Sequence, residues 1–313
     1  MNADAALRAQ AAAGDAKAQL RLSHLMLSGR ARLISADEPM RLLEAACAQK
    51  LGDALLYHAA LAVRGTGRAR DFEAATRFLS DAAAAGDTRA KGQLMALGGK
   101  IDRDVWLAPV QMVQHHDAPR AFTIENFIPK SACAWLIKNA RKNLQRAPTQ
   151  SAALNGAMVL DSSRSNSLAP TNILHPDVVL QLANLRIAAA IREPLEHQEP
   201  TNILHYARGQ EYARHFDFIR PEEEAGFAHE LRTIGQRVVT FLIYLNDDYE
   251  GGETEFPFLS WRFKGKTGDA LVWWNLSAAG EREPLSLHAG LPVTKGEKWL
   301  FSKWVRQRPV LVE

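Results

Sequence analysis

Hydrophobic positions change their spacing partway along the chain. From about Pro200 onward they fall into short β-rich runs, TNILHYA, QEYARHFDF, QRVVTFLIYLN, GDALVWWNL, SLHAGLPV and EKWLFSKWVRQ, parted by glycine, proline and acidic turns. Runs of this kind predict strands, and so many of them behind a helical stretch predict a β-sandwich or β-barrel braced by helices. NDDYEGGETEF, between the third and fourth runs, is expected as a glycine-rich hairpin connection. Upstream, PDVVLQLANLRIAAAIREPL predicts a helix with Pro176 in its first turn. AFTIENFIPKSACAWLIKNAR predicts a short strand and then a helix capped by Ser131.

The first hundred residues have another texture. AAAGDAKAQLRL, LGDALLYHAAL and AAAAGDTRAKGQLMAL repeat a Gly-Asp pair beginning at Gly14, Gly52 and Gly86, at spacings of 38 and 34 residues. That period belongs to paired-helix solenoids. Small residues let such helices approach closely, and each Gly-Asp is expected to end one helix and cap the next. An irregular alanine-rich helical bundle is the alternative. His24 and His58 stand alone on these helices and are expected to be structural.

Composition sharpens the division without adding chemistry. All seven tryptophans lie at Trp106 or later, and Pro39 is the one proline of the first hundred residues. Two differently built domains are therefore expected: a helical repeat region over 1–100, a linker over 101–120 and a β-rich domain over 121–313. Net charge is only +3, with 15 Lys+Arg against 12 Asp+Glu up to Val105 and 23 against 23 beyond, which predicts no nucleic-acid partner. The N-terminal stretch carries no apolar leader core, and no run of about 18 apolar residues follows, so no membrane partner and a cytoplasmic location are expected. Cys47 and Cys133, far apart in sequence, are expected to be small buried hydrophobes.

Candidate chemistry enters through His-x-Asp, which occurs as His115/Asp117, His175/Asp177 and His215/Asp217. The first falls in the expected linker and the second straddles Pro176 at a helix start, so both are expected on the surface. In YARHFDF, strand alternation places His215 and Asp217 on one face, with Phe216 and Phe218 as anchors on the other. Two ligands seldom hold a catalytic metal. His288, 73 residues after His215, is the best third candidate, and two imidazoles with one carboxylate form the facial triad that binds Fe(II) with positions left open. Lys298, ten residues beyond His288, would need an anionic partner if buried, which a co-substrate carboxylate supplies.

Taken with LHYARGQEYARHFDF, RVVTFLIYLNDDYEGGETEFP, GDALVWWN and HAGLPVTKGEKWLFSKWVR, these residues resemble the prolyl 4-hydroxylase-type 2-oxoglutarate- and Fe(II)-dependent dioxygenases from about Ala121 to Arg308. NFIPKSACAWLIKNA and SSRSNSLAP resemble the helical entry segment and following loop of that family, and the Gly-Asp repeats resemble Sel1-like repeats. The resemblance implies an α+β chain in which a helical repeat region precedes a double-stranded β-helix, or jelly roll. It implies His215, Asp217 and His288 as iron ligands, Lys298 holding the distal carboxylate of 2-oxoglutarate, and Tyr206 and Tyr244 lining the co-substrate pocket, with Tyr212 a competitor for that role. Fe(II), 2-oxoglutarate and O2 are the implied metal and co-substrates, with ascorbate as reductant. Because Asp217 fills the carboxylate position, hydroxylation is expected and halogenation is not.

The leading expectation for the reaction is peptidyl-prolyl 4-hydroxylation of a protein, with the repeats presenting a partner. RPEEEAGFAHE and NDDYEGGE are expected to flank the mouth. A hydroxylase of a small molecule or free amino acid is the alternative, and a non-catalytic repeat scaffold is a third reading from another class.

Overall fold

In the computed structural model, residues 3–151 and 157–310 are described. They form two compact units. One gathers the chain up to Ala108 with Ile173–Arg186, and the other gathers Pro109–Asn172 with Ile187–Val310.

The first unit opens with six helices, α1 (Ala3–Ala12), α2 (Ala16–Leu27), α3 (Glu38–Ala48), α4 (Gly52–Arg64), α5 (Phe72–Ala84) and α6 (Thr88–Ala96). Gly14 (φ +93°) and Gly86 (φ +97°) turn the chain through the left-handed region that non-glycine residues avoid. Asp15 then accepts from Ala18 N, and Asp87 from Arg89 N and Ala90 N, capping α2 and α6. The middle Gly-Asp departs from this expectation: Gly52 is already helical, the N-cap is Leu51, and Asp53 pairs instead with Arg89 at 2.6 Å. Gly52 is used for closeness, since a Cβ there would stand 3.0 Å from Asp87 Oδ2. Every residue from Ala54 to Val63 is buried, and Met40, Leu43, Ala46, Tyr57 and Leu61 share one apolar core. His58 stacks on Phe78 at 3.9 Å.

The stretch 101–120 is not a plain linker. It carries α7 (Arg103–Leu107), capped by Asp102, and β1 (Val113–Asp117), which pairs with β2 (Arg120–Ile124). A buried tryptophan, Trp106, anchors the first of these. Ile173–Arg186 also falls outside the expected boundary. Gln93 accepts from Val178 N at 2.7 Å, Arg64 donates to Gln181 at 3.0 Å and Arg186 donates to Val105 O at 2.7 Å, all within the first unit. Asp177, expected on the surface, is buried and caps α9 (Val178–Ile191) through Leu180 N. The other helices are α8 (Lys130–Ala140) and α10 (Ala228–Thr233). Pro129 rather than Ser131 is the N-cap of α8, with no side-chain cap.

The remaining strands are β3 (Gln145–Arg146), β4 (Thr149–Ser151), β5 (Ala157–Val159), β6 (Ser167–Pro170), β7 (Asn202–Tyr206), β8 (Tyr212–His215), β9 (Arg237–Tyr244), β10 (Glu250–Gly251), β11 (Thr254–Phe256), β12 (Trp261–Phe263), β13 (Ala270–Trp274), β14 (His288–Gly290), β15 (Val293–Lys295) and β16 (Lys298–Arg306). The large sheet runs β1-β2-β13-β9-β16-β7-β6-β3, and the small one β12-β11-β14-β8. From β7 the chain alternates between them, and residues of both line one cavity. Such alternation is the double-stranded β-helix, or jelly roll. NDDYEGGETEF is accordingly no simple hairpin connection. β9 does pair antiparallel with β13, but the segment between them carries β10, which pairs with β15, and β11, which joins the small sheet beside β14.

Candidate metal centre

β8 and β14 pair antiparallel with His215 opposite His288, and the register shifts between His288 and Gly290. This pairing brings two histidines 73 residues apart into ring contact, with centroids at 4.2 Å. Asp217 lies past the end of β8 rather than on it. Its Oδ1 is 3.7 Å from His215 Nε2 and its Oδ2 is 3.5 Å from His288 Nε2. One ligand atom from each of the three falls within 4.8 Å of the others, and among the described residues this is the one such group.

The hydrogen bonds around the trio select its donor atoms. His215 Nδ1 lies 2.7 Å from Ala213 O, and His288 Nδ1 3.0 Å from Ser286 O. A carbonyl only accepts, so each Nδ1 carries a hydrogen and each Nε2 is the ring nitrogen turned to Asp217. Thr240 donates to Asp217 Oδ2 at 2.6 Å. Tyr212 lies flat on His215 at 3.5 Å, and the Arg164 guanidinium lies over the Tyr212 ring at 4.6 Å. Trp273 meets His288 edge-on at 4.6 Å. Burial is the main force lowering the His215 pKa, to about 3, helped by His288. Burial alone would raise the Asp217 carboxyl, but both imidazoles and the Thr240 hydroxyl outweigh it and hold the group low. A neutral imidazole and an ionised carboxylate are the forms a divalent cation requires. Two imidazole Nε2 atoms and a carboxylate converging on one side of a cavity fit Fe(II).

Lys298 is 1% exposed. Its Nζ donates to Gly252 O at 2.5 Å and lies 5.2 Å from the Tyr206 ring. Among the described residues no carboxylate lies within ion-pair distance of it. Burial pushes its pKa down to about 7, against an opposing pull from Glu253. A buried ammonium satisfied by one carbonyl fits an anionic ligand.

An inner chamber of about 40 Å³ runs between the trio and Lys298, and an outer cleft of about 560 Å³ opens beyond it. Arg164, Tyr212, His215, Asp217 and Trp304 line both. Tyr206 lines the chamber. Tyr244 does not: it is fully buried, hydrogen-bonded to Thr254 at 2.9 Å and donating to Phe263 O at 3.2 Å, and Thr254 takes the place on the wall. Phe216 and Phe218, past the end of β8, stack at 4.6 Å, and both line the outer cleft rather than anchoring away from it. Of the two loops expected at the mouth, Arg220, Glu223 and Phe227 border the cleft, while none of its described lining comes from 246–253. Arg164 and Thr240 went unrecognised in the sequence. The register of QRVVTFLIYLN against its partners places Thr240 inward, a signal that needs the sheet order to be read.

A double-stranded β-helix with this trio and a buried lysine defines a non-haem 2-oxoglutarate dioxygenase. The 2OG-Fe(II) oxygenase superfamily profile matches residues 201–306. Prolyl 4-hydroxylase 13 of Arabidopsis thaliana is 35% identical over 205 residues, covering 61% of this chain and 72% of that protein. The chain belongs to the prolyl 4-hydroxylase-type family of 2-oxoglutarate- and Fe(II)-dependent dioxygenases, with Fe(II) as its metal and 2-oxoglutarate and O2 as co-substrates. Among solved structures, the viral collagen prolyl hydroxylase of Paramecium Bursaria Chlorella virus-1 aligns at 24% identity and a TM-score of 0.46 over 59% of this chain and 95% of its own. A Sel1 repeat protein from Oxalobacter formigenes aligns at 27% identity and a TM-score of 0.28 over 30% and 72%.

Proposed function

We propose that the protein is a peptidyl-prolyl 4-hydroxylase in which His215, Asp217 and His288 hold Fe(II) and Lys298 holds 2-oxoglutarate. When bound, the iron supplies the oxidising chemistry by which 2-oxoglutarate and O2 become succinate and CO2 and one oxygen atom enters a C–H bond. Lys298 pairs with the distal carboxylate of 2-oxoglutarate, fixing the length and direction in which it reaches toward the trio. Tyr212 and Trp273 pack against the two imidazoles, excluding water and holding the rings in place. Ascorbate is proposed as the reductant that sustains turnover. A cytoplasmic location is proposed in keeping with Cys47 and Cys133, both free thiols.

The observation that carries the prolyl reading is the 35% identity to Prolyl 4-hydroxylase 13 across 72% of that protein. The outer cleft supports it, being roomy enough for an extended peptide and bordered by Phe216, Phe218, Arg237 and Trp304. The helical repeats are proposed to recruit the protein that carries the proline. The test is to treat cell lysate with active enzyme or with the His288→Ala form and map, by peptide mass spectrometry, residues that gain one oxygen atom. The expected result is new hydroxyproline only with active enzyme. A metabolite that gains oxygen while every peptide stays unmodified would end the prolyl reading.

A further inference from the structure

Asn275 follows β13 and is completely buried, yet its side-chain Oδ1 has no hydrogen-bond partner. A buried polar atom left unpaired costs stability and calls for an explanation. The other end of the amide supplies one. Asn275 Nδ2 lies 2.9 Å from Thr240 Oγ1, and Thr240 Oγ1 lies 2.6 Å from Asp217 Oδ2.

Hydrogen counting fixes the direction of this chain. A carboxylate bound to a cation has no hydrogen to give, and a threonine hydroxyl has only one. The Thr240 hydrogen therefore goes to Asp217 Oδ2, and Thr240 Oγ1 is left as an acceptor toward residue 275. Only the NH2 end of Asn275 satisfies it, so the orphaned Oδ1 follows from the orientation that the neighbouring carboxylate imposes.

We propose that Asn275 and Thr240 are positioning residues for Asp217, forming a one-way relay that engages Oδ2 and reserves Oδ1 for the metal. Oδ1 has no hydrogen-bond partner among the described residues and lies on the His215 side. The relay rests on the reading of His215, Asp217 and His288 as the iron ligands. It explains why a polar residue, and not an apolar one, occupies a fully buried position directly behind the trio.

The test measures metal affinity and metal-free stability side by side. Purified protein stripped of metal is titrated with Co(II) against a competing chelator, and its thermal unfolding is followed without metal. Asn275→Leu and Thr240→Val are each expected to weaken Co(II) binding by about 10- to 100-fold, while Thr240→Ser, which keeps the hydroxyl, stays within about threefold of wild type. Because Asn275→Leu removes the orphaned carbonyl, its metal-free melting temperature is expected to equal or exceed that of wild type. A purely structural asparagine would show the reverse, a lower melting temperature with unchanged affinity, and would overturn the relay. Equal losses in Thr240→Ser and Thr240→Val would overturn it too. If the wild-type protein itself fails to bind Co(II), the ligand reading falls and the relay with it. Wild-type affinity in Asn275→Leu removes only the relay.

Discussion

Lys298 is the residue whose surroundings make the sharpest demand. Its pKa, 10.5 in an ordinary setting, is pushed down to about 7 by burial, and an anion beside it would push it back up. Binding of 2-oxoglutarate above pH 7 therefore draws in a proton, and apparent affinity should fall with rising pH, by at most about tenfold per pH unit. Calorimetry in buffers of different ionisation enthalpy would detect that uptake at pH 8, and its absence would refute the assignment. The same shift acts on stability with a defined sign. Between about 7 and 10.5 the unfolded lysine holds more protons than the folded one, so its contribution to the ligand-free protein improves as pH rises. Lys298→Met should remove this pH dependence together with 2-oxoglutarate binding. At the tyrosines, Tyr244→Phe should leave co-substrate affinity within about twofold, because its hydroxyl serves Thr254 and the Phe263 carbonyl, a pair worth about 1 kcal/mol of stability. Tyr206→Ala, which opens the chamber wall, should raise the KM for 2-oxoglutarate clearly above that. His215, Asp217, His288 and Lys298, which the structure brings to one chamber, could be singled out in sequence because a His-x-Asp pair followed by a distant histidine and a lysine is itself a pattern. Tyr206 and Tyr244 were not separable there, since both sit on inward strands and only the third dimension shows which hydroxyl is already taken.

The site is made by elements meeting, and above all by the pairing of β8 with β14 that sets His215 against His288. Five of the six β-rich runs became strands of the two facing sheets much as their alternation indicates. RHFDF did so only as far as His215, because Asp217 must leave the sheet to reach His288. Connections were harder to read than strands. A glycine pair predicts a turn but not whether the chain returns to its own sheet or crosses to the other. Gly251 shows what that crossing requires: its φ is +68°, and a Cβ there would lie 2.5 Å from Pro292 O, just before β15. Gly251→Ala should therefore destabilise the protein by about 1–3 kcal/mol, measured by urea unfolding. Gly209→Ala, with φ +80° but nothing within 4 Å of its Cβ, should stay at the lower end, about 1 kcal/mol.

At the level of the whole molecule, the chain joins a helical repeat unit to a dioxygenase unit. The change from Gly-Asp repeats to alternating strands made that division readable, but its edges were not. Ile173–Arg186 belongs with the helices because Gln93, Arg64 and Val105 hold it there, partners some 80 or more residues away that local pattern cannot announce. Among the described residues no helix is long and apolar enough to cross a membrane. The catalytic claim for the molecule is tested most directly by succinate release. Purified protein supplied with Fe(II), ascorbate, O2 and 2-oxoglutarate is expected to form succinate slowly even without a hydroxylatable substrate, and His288→Ala to form none. An iron-loaded wild-type protein that yields no succinate, or a His288→Ala protein that matches wild type, would contradict the assignment.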